Sequence, residues 1–123
     1  MMVRGIRGAI DVPANTEDAI IEATHKLFKE IIFRNSISTE QIASIILSAT
    51  TDLDATFPAK AIRSMGLTSI PLMCAQEINV PGAMNQVIRV LIHINTDKMQ
   101  SEIIHCYLDK TAELRPDIGG DRK

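Results

Sequence analysis

Two hydrophobic periods alternate along the chain. Residues 2–10, "MVRGIRGAI", suit a strand. Its alternation would put Val3, Gly5, Arg7 and Ala9 on one face and Met2, Arg4, Ile6, Gly8 and Ile10 on the other. After Pro13, "NTED" offers Asn15 or Thr16 as an N-cap, with Glu17 and Asp18 in a first helical turn. Ile20, Thr24, Leu27, Phe28, Ile31 and Ile32 then recur at helical spacing, which predicts a long helix over 16–34. Glu22, Lys26, Lys29 and Glu30 form its solvated face.

"STEQ" at 38–41 has the form of a capping box and predicts a short helical turn. "IASIILSAT" could extend that turn or form a buried strand; its β-branched isoleucines and the "TTDLD" break favour a strand over 42–49. Pro58 suits a helix N1 position, so "PAKAIRSMG" predicts a short helix ended by Gly66. Strands follow at 69–74, 86–95 and 101–108. The order β-α-β-α-β-β-β is that of an α+β domain, a mixed sheet with one long and one short helix. In 86–95, Val90, Ile92 and Ile94 face one way and Leu91 the other. One helix covers one sheet face, so this surplus predicts that a second chain covers the rest.

The 123 residues fit one domain spanning 1–123. Only 3% are aromatic and net charge is −2, so the basic stripe and stacking platforms of a nucleic-acid binder are missing. No apolar run approaches the length of a bilayer span, and the opening residues lack the pattern of an export signal. Cys74 and Cys106 read as reduced thiols of a cytoplasmic protein. His93, His105 and Cys106 match no zinc spacing and read as satisfied polar residues on strands, so no metal is expected.

The candidate chemistry is cationic. Gly5 and Ala9 leave space beside Arg7, which either receives an anion or pairs with a carboxylate such as Glu77 or Asp52. Arg4 lacks such a gap and reads as structural. Arg89 lies mid-strand among apolar residues, where a charge is costly unless paired or bound to a ligand. Lys60 and Arg63 share one face of the short helix, as an anion site or a solvated basic face. Arg115 is held extended by Pro116. Cations in apolar strands of a net-acidic protein suit a small, multiply anionic, mostly carbon ligand. Cys74, Glu77 and Tyr107 are possible polar accents. Nothing suggests nucleophilic catalysis, and "GIRG" is neither a phosphate loop nor a dinucleotide fingerprint.

"RGIRGA" at 4–9, "LSATTDLDATFPAKAIR" at 47–63, "PLMCAQE" at 71–77, "IRVLIHI" at 88–94 and "YLDKTAELRPD" at 107–117 together resemble the monofunctional chorismate mutases of the Bacillus type. The resemblance implies a trimeric pseudo-α/β barrel with active sites between subunits. It implies conversion of chorismate to prephenate on the shikimate route to Phe and Tyr, without cofactor. It also implies a site built from Arg7, Cys74, Glu77, Arg89 and Tyr107 as catalytic groups. Phe57, Ala59, Lys60, Arg63, Met73, Leu114 and Arg115 would contact substrate. In that reading Arg89 meets the ether oxygen, Arg7 a carboxylate, Glu77 and Cys74 the ring hydroxyl and ring edge, and Tyr107 a carboxylate. Met73 stands where a smaller or polar residue is expected, "SMGLTS" is one residue short, and 116–123 is expected to be a tail mobile until substrate binds. Two alternatives use the same arginine chemistry: a non-catalytic trimer binding an anionic metabolite, and an imine-hydrolysing enzyme on a similar trimeric barrel.

Overall fold

A computed structural model describes residues 1–116; apart from Pro116, the expected tail lies outside them. Five strands and two α-helices follow in the order β1 (Met2–Asp11), α1 (Glu17–Asn35), β2 (Ile42–Ala49), α2 (Ala59–Arg63), β3 (Leu72–Gln76), β4 (Val87–Thr96) and β5 (Cys106–Tyr107). They form one mixed sheet with spatial order β3-β2-β4-β1-β5. β4 pairs antiparallel with β1 and β2, whereas β3 runs parallel to β2 and β5 parallel to β1.

Helix α1 begins where the Thr16 hydroxyl accepts the Ala19 N–H at 3.1 Å, with Glu17 and Asp18 in its positive first turn. It ends at Ser36, whose left-handed backbone (φ 51°) directs its N–H to the Ile32 and Phe33 carbonyls. Its stripe of Ile20, Ala23, Thr24, Leu27, Phe28 and Ile31 is buried against one sheet face made of Ile6, Ile10, Val90, Ile92 and Ile94. Buried Asn35 then locks the helix end to the approach of β5. Its side-chain nitrogen donates to the Ile104 carbonyl at 2.9 Å and its oxygen accepts the Ile104 N–H at 2.8 Å. The Ser38 turn closes as a capping box, and Gly66 after α2 takes φ +85°.

Two expected strands move. β3 covers 72–76 rather than 69–74, because Pro71 has no N–H to donate and the ladder begins on its carbonyl, which accepts Ile45 N–H at 3.0 Å. The last strand shrinks from 101–108 to Cys106–Tyr107. Residues 100–102 coil into a 3₁₀ turn in which Glu102 caps the Met99 N–H at 2.7 Å, and Asn35 takes the backbone of Ile104 instead of the sheet. No helix of the described residues is long and apolar enough to cross a membrane.

Cross-strand register decides what the other face carries. One row across β1, β4, β2 and β3 is Arg7, Leu91, Ile46 and Met73; the next is Ala9, Arg89, Ser48 and Ala75. Among the described residues Tyr107 and Leu114 cover Ala9 at one end of these rows, whereas Ile46 and Met73 stay 37% and 64% exposed. The surplus of apolar surface on the strand 86–95 sheet is therefore present.

Candidate active site

The open face holds a cleft of about 330 Å³ between Arg7, Arg89, Tyr107 and Arg115, floored by Ile46, Ser48 and Leu91. β1 and β4 supply Arg7 and Arg89. Their ladder places Arg7 opposite Leu91 and Arg89 opposite Ala9, so the two guanidiniums stand in adjacent rows of one face. Tyr107 reaches the same face from β5, opposite Ala9. Tyr107 is 5% exposed and packs with Ala9, Val87, Met84 and Leu114, which fixes the floor beside Arg7.

The sequence left open whether Arg7 pairs with a carboxylate. Among the described residues it does not. Its backbone N–H donates to His105 Nδ1 at 2.9 Å, and no acidic group of the described residues pairs with its guanidinium. Asp52 is used elsewhere, accepting Thr50 Oγ1 at 2.5 Å and the Gln86 N–H at 3.1 Å. Glu77 serves Arg89, whose Nε donates to Glu77 Oε1 at 3.2 Å. This ion pair accounts for an arginine in an apolar strand. Among the described residues only one of the five guanidinium donors is taken, and the Arg89 side chain remains 39% exposed. Val90 and Ile92 point to the opposite face, toward α1, and only Leu91 accompanies Arg89.

Leu114 packs beside the cleft, whereas most of the other expected residues lie apart from it within one chain. Cys74 pairs in register with buried Leu47 and packs on the α1 side of the sheet. It lines a second groove of about 560 Å³ with Leu53, Thr56 and exposed Phe57. Ala59 is buried in the core, and Arg63 is exposed on α2. Lys60 is engaged: it bridges to Glu17 at the start of α1. That hydrogen bond and charge hold the Glu17 carboxyl below its ordinary value. Met73 stands at the β3 edge, in the row of Arg7. Arg4 is structural, its Nε donating to the Lys98 carbonyl at 2.9 Å. His93 shares a hydrogen bond with Ser44 at 3.1 Å. Burial pushes the Cys106 thiol up to about 11.

Ser48 is absent from the sequence reading. Its hydroxyl donates to Glu77 Oε2, and it lines the cleft beside Arg89. Its polarity in a largely apolar strand was the sequence signal, one it shares with Ser44.

Residues 3–118 match the sequence profile of chorismate mutase type I. The chain belongs to the type I chorismate mutase family. It is 44% identical over 119 residues to chorismate mutase AroH of Bacillus subtilis, covering 96% of this chain and 94% of that protein. It is 46% identical over 118 residues to chorismate mutase AroH of Thermus thermophilus, covering 95% and 97%. A solved chorismate mutase from Clostridium thermocellum superposes with a TM-score of 0.85 at 50% identity, covering 87% of this chain and 96% of that one. The chorismate mutase match thus spans both the arginine cleft and the Cys74 groove.

Proposed function

We propose that this chorismate mutase rearranges chorismate to prephenate over the Arg7–Arg89 face. The observation that carries the reading is a pair of guanidiniums in adjacent rows: Arg7 meets no carboxylate among the described residues, and Arg89 gives only its Nε to Glu77. A dianion with an apolar ring fits such a floor.

The [3,3] rearrangement breaks a C–O bond as a C–C bond forms, with no proton transfer, nucleophile, metal or cofactor. Protein can contribute by holding the side chain folded over the ring and by stabilising the charge that separates. Negative charge grows on the ether oxygen, and a fixed guanidinium aimed there is electrostatic preorganisation. Even about a million-fold acceleration needs roughly 8 kcal/mol. Arg89 is assigned the largest share, Arg7 a substrate carboxylate, Glu77 the ring hydroxyl and Tyr107 the cleft wall and a carboxylate.

The Arg7–Arg89 cleft is open in one chain, and Phe57, Lys60, Arg63 and Cys74 lie outside it. A homotrimer that covers the apolar rows with a neighbouring subunit would bring such residues to the site. The Cys74 and Cys106 thiols are unbridged, which supports a cytoplasmic enzyme of phenylalanine and tyrosine biosynthesis.

Membership of the chorismate mutase family favours this reading over a binding protein or an imine hydrolase. Loss of chorismate absorbance on mixing with purified protein, with prephenate as product, is the expected result. An unchanged spectrum would refute the reading. Light scattering should give three times the chain mass, and a monomer at micromolar concentration would remove the shared site.

A further inference from the structure

The Glu77–Arg89 pair does not stand alone. Ser48 lies directly opposite Arg89 across the β2–β4 ladder, and its hydroxyl donates to the second carboxylate oxygen of Glu77. The first oxygen takes Arg89 Nε. The Glu77 backbone is tied as well, its N–H donating to the Ala49 carbonyl at 2.9 Å. β2 thus grips Glu77 at the main chain and at one oxygen, while β4 grips the other oxygen. The last torsion of a glutamate is soft and has no sharp rotamer wells. With both oxygens engaged, that torsion is set by protein donors, and the carboxylate plane fixes the direction of the arginine fork.

We propose that Ser48 is a positioning residue for the rearrangement: it orients the Glu77 carboxylate and, through it, the guanidinium of Arg89. This rests on the reading of the cleft as the chorismate site. A serine suits the task because it offers one rotatable O–H donor on a short stem. Threonine retains the donor, and its extra methyl fits a strand. Alanine leaves one oxygen of Glu77 without its protein donor, so the carboxylate turns and the fork loosens. Substrate held by Arg7 would still bind, so the deficit should fall on the chemical step. Interactions that matter only in the transition state lower kcat and leave KM nearly unchanged.

The experiment is steady-state turnover of chorismate by the purified full-length enzyme, its Ser48→Ala and its Ser48→Thr variants. Folding is checked by far-ultraviolet circular dichroism and melting. The expected result is that Ser48→Ala lowers kcat about 10-fold while KM changes less than about 3-fold, a loss within the strength of one hydrogen bond to a charged group. Ser48→Thr should recover kcat to within about 3-fold of wild type. Wild-type kcat in Ser48→Ala overturns the proposal, as does a loss confined to KM. A threonine variant as slow as the alanine one overturns it too, because the hydroxyl would then not be the acting group. If Ser48→Ala does not fold, Ser48→Cys takes its place with the same expected outcomes, since a thiol is a much weaker donor. A wild-type enzyme that leaves chorismate unchanged defeats the functional reading itself, which separates the two failures.

Discussion

Adding one methyl group at Gly8 tests how closely the Arg7–Arg89 face is tied to the helix behind it. Gly8 points toward α1, between Arg7 and Ala9 of β1. A Cβ there would sit 2.9 Å from Ile31 Cδ1, 3.1 Å from Leu27 Cδ1 and 3.0 Å from the Cys106 carbonyl oxygen. The two side chains are 0% and 1% exposed, so neither can swing into solvent. The third obstacle is backbone of β5. The methyl can be admitted only by lifting α1 or by moving β5. Overpacking of this kind costs roughly 1–3 kcal/mol. The reduced entropy of the unfolded chain offsets about 0.4–1 kcal/mol. The net destabilisation for Gly8→Ala is then about 1–2 kcal/mol, a fall in melting temperature of about 4–8 °C for a chain of this size. Gly5 on the same strand is the control. Its added Cβ would meet only Leu91 Cδ1, at an ordinary 3.6 Å, so Gly5→Ala should match wild type or exceed its stability by up to about 1 kcal/mol. Urea unfolding at one fixed protein concentration measures both, since the proposed subunit association would make stability concentration-dependent. The midpoint should move for Gly8→Ala with the slope unchanged. Equal midpoints for the two variants would refute the claim that strand and helix are in contact without slack.

Arg89→Ala should reduce kcat by about 10²–10³, the usual result of removing one donor to a developing oxyanion, and Arg89→Lys should recover only part because it lacks the planar fork; near-wild-type kcat in folded protein would move the catalytic charge elsewhere. Cys74→Ser should keep much of the activity, because a hydroxyl replaces a weak S–H donor, and a trapped covalent adduct on Cys74 would contradict a reaction without a nucleophile. In native protein a maleimide should label half-buried Cys74 and spare Cys106, which is 0% exposed, with both labelled in urea. The Cys106 thiol is held protonated to about pH 11 by burial, whereas an unfolded thiol ionises near pH ~8.5. The unfolded chain therefore binds fewer protons across that interval, and stability falls as pH rises through it. Cys106→Ala should flatten this alkaline loss in urea titrations at pH 8 and pH 10.

The sequence was legible where a local pattern suffices. Helix α1 follows from its 3.6-residue stripe and Thr16 cap, and β1, β2 and β4 from apolar runs of strand length. β3 and β5 were misplaced because their limits depend on distant partners. β3 is bounded by what β2 offers to Pro71, and β5 is cut short by Asn35, about seventy positions earlier. The site divides the same way. That Arg7 and Arg89 are costly in strands can be read from the chain. Which of them takes Glu77 cannot, since that depends on how the segment after β3 returns over β2. Nor can spacing tell that Cys74 and Arg89 face opposite sides, because strand parity becomes meaningful only once register is set.

The order of the strands also governs when an active face can exist. β1 precedes the other strands, yet both its neighbours come from the far third of the sequence: it pairs with β4 from Met2 opposite Thr96 to Asp11 opposite Val87, and with β5 at Gly8 opposite Cys106. Closing loops of that length before any reward is gained makes folding slow. Through most of translation Ile6 and Ile10 have only α1 to shelter them, and the edges of β1 remain unpaired. Arg7 meets Arg89 only after β4 has emerged, so no shorter nascent chain can carry both arginines on one face, and unfinished chains with unpaired strand edges are open to misassembly.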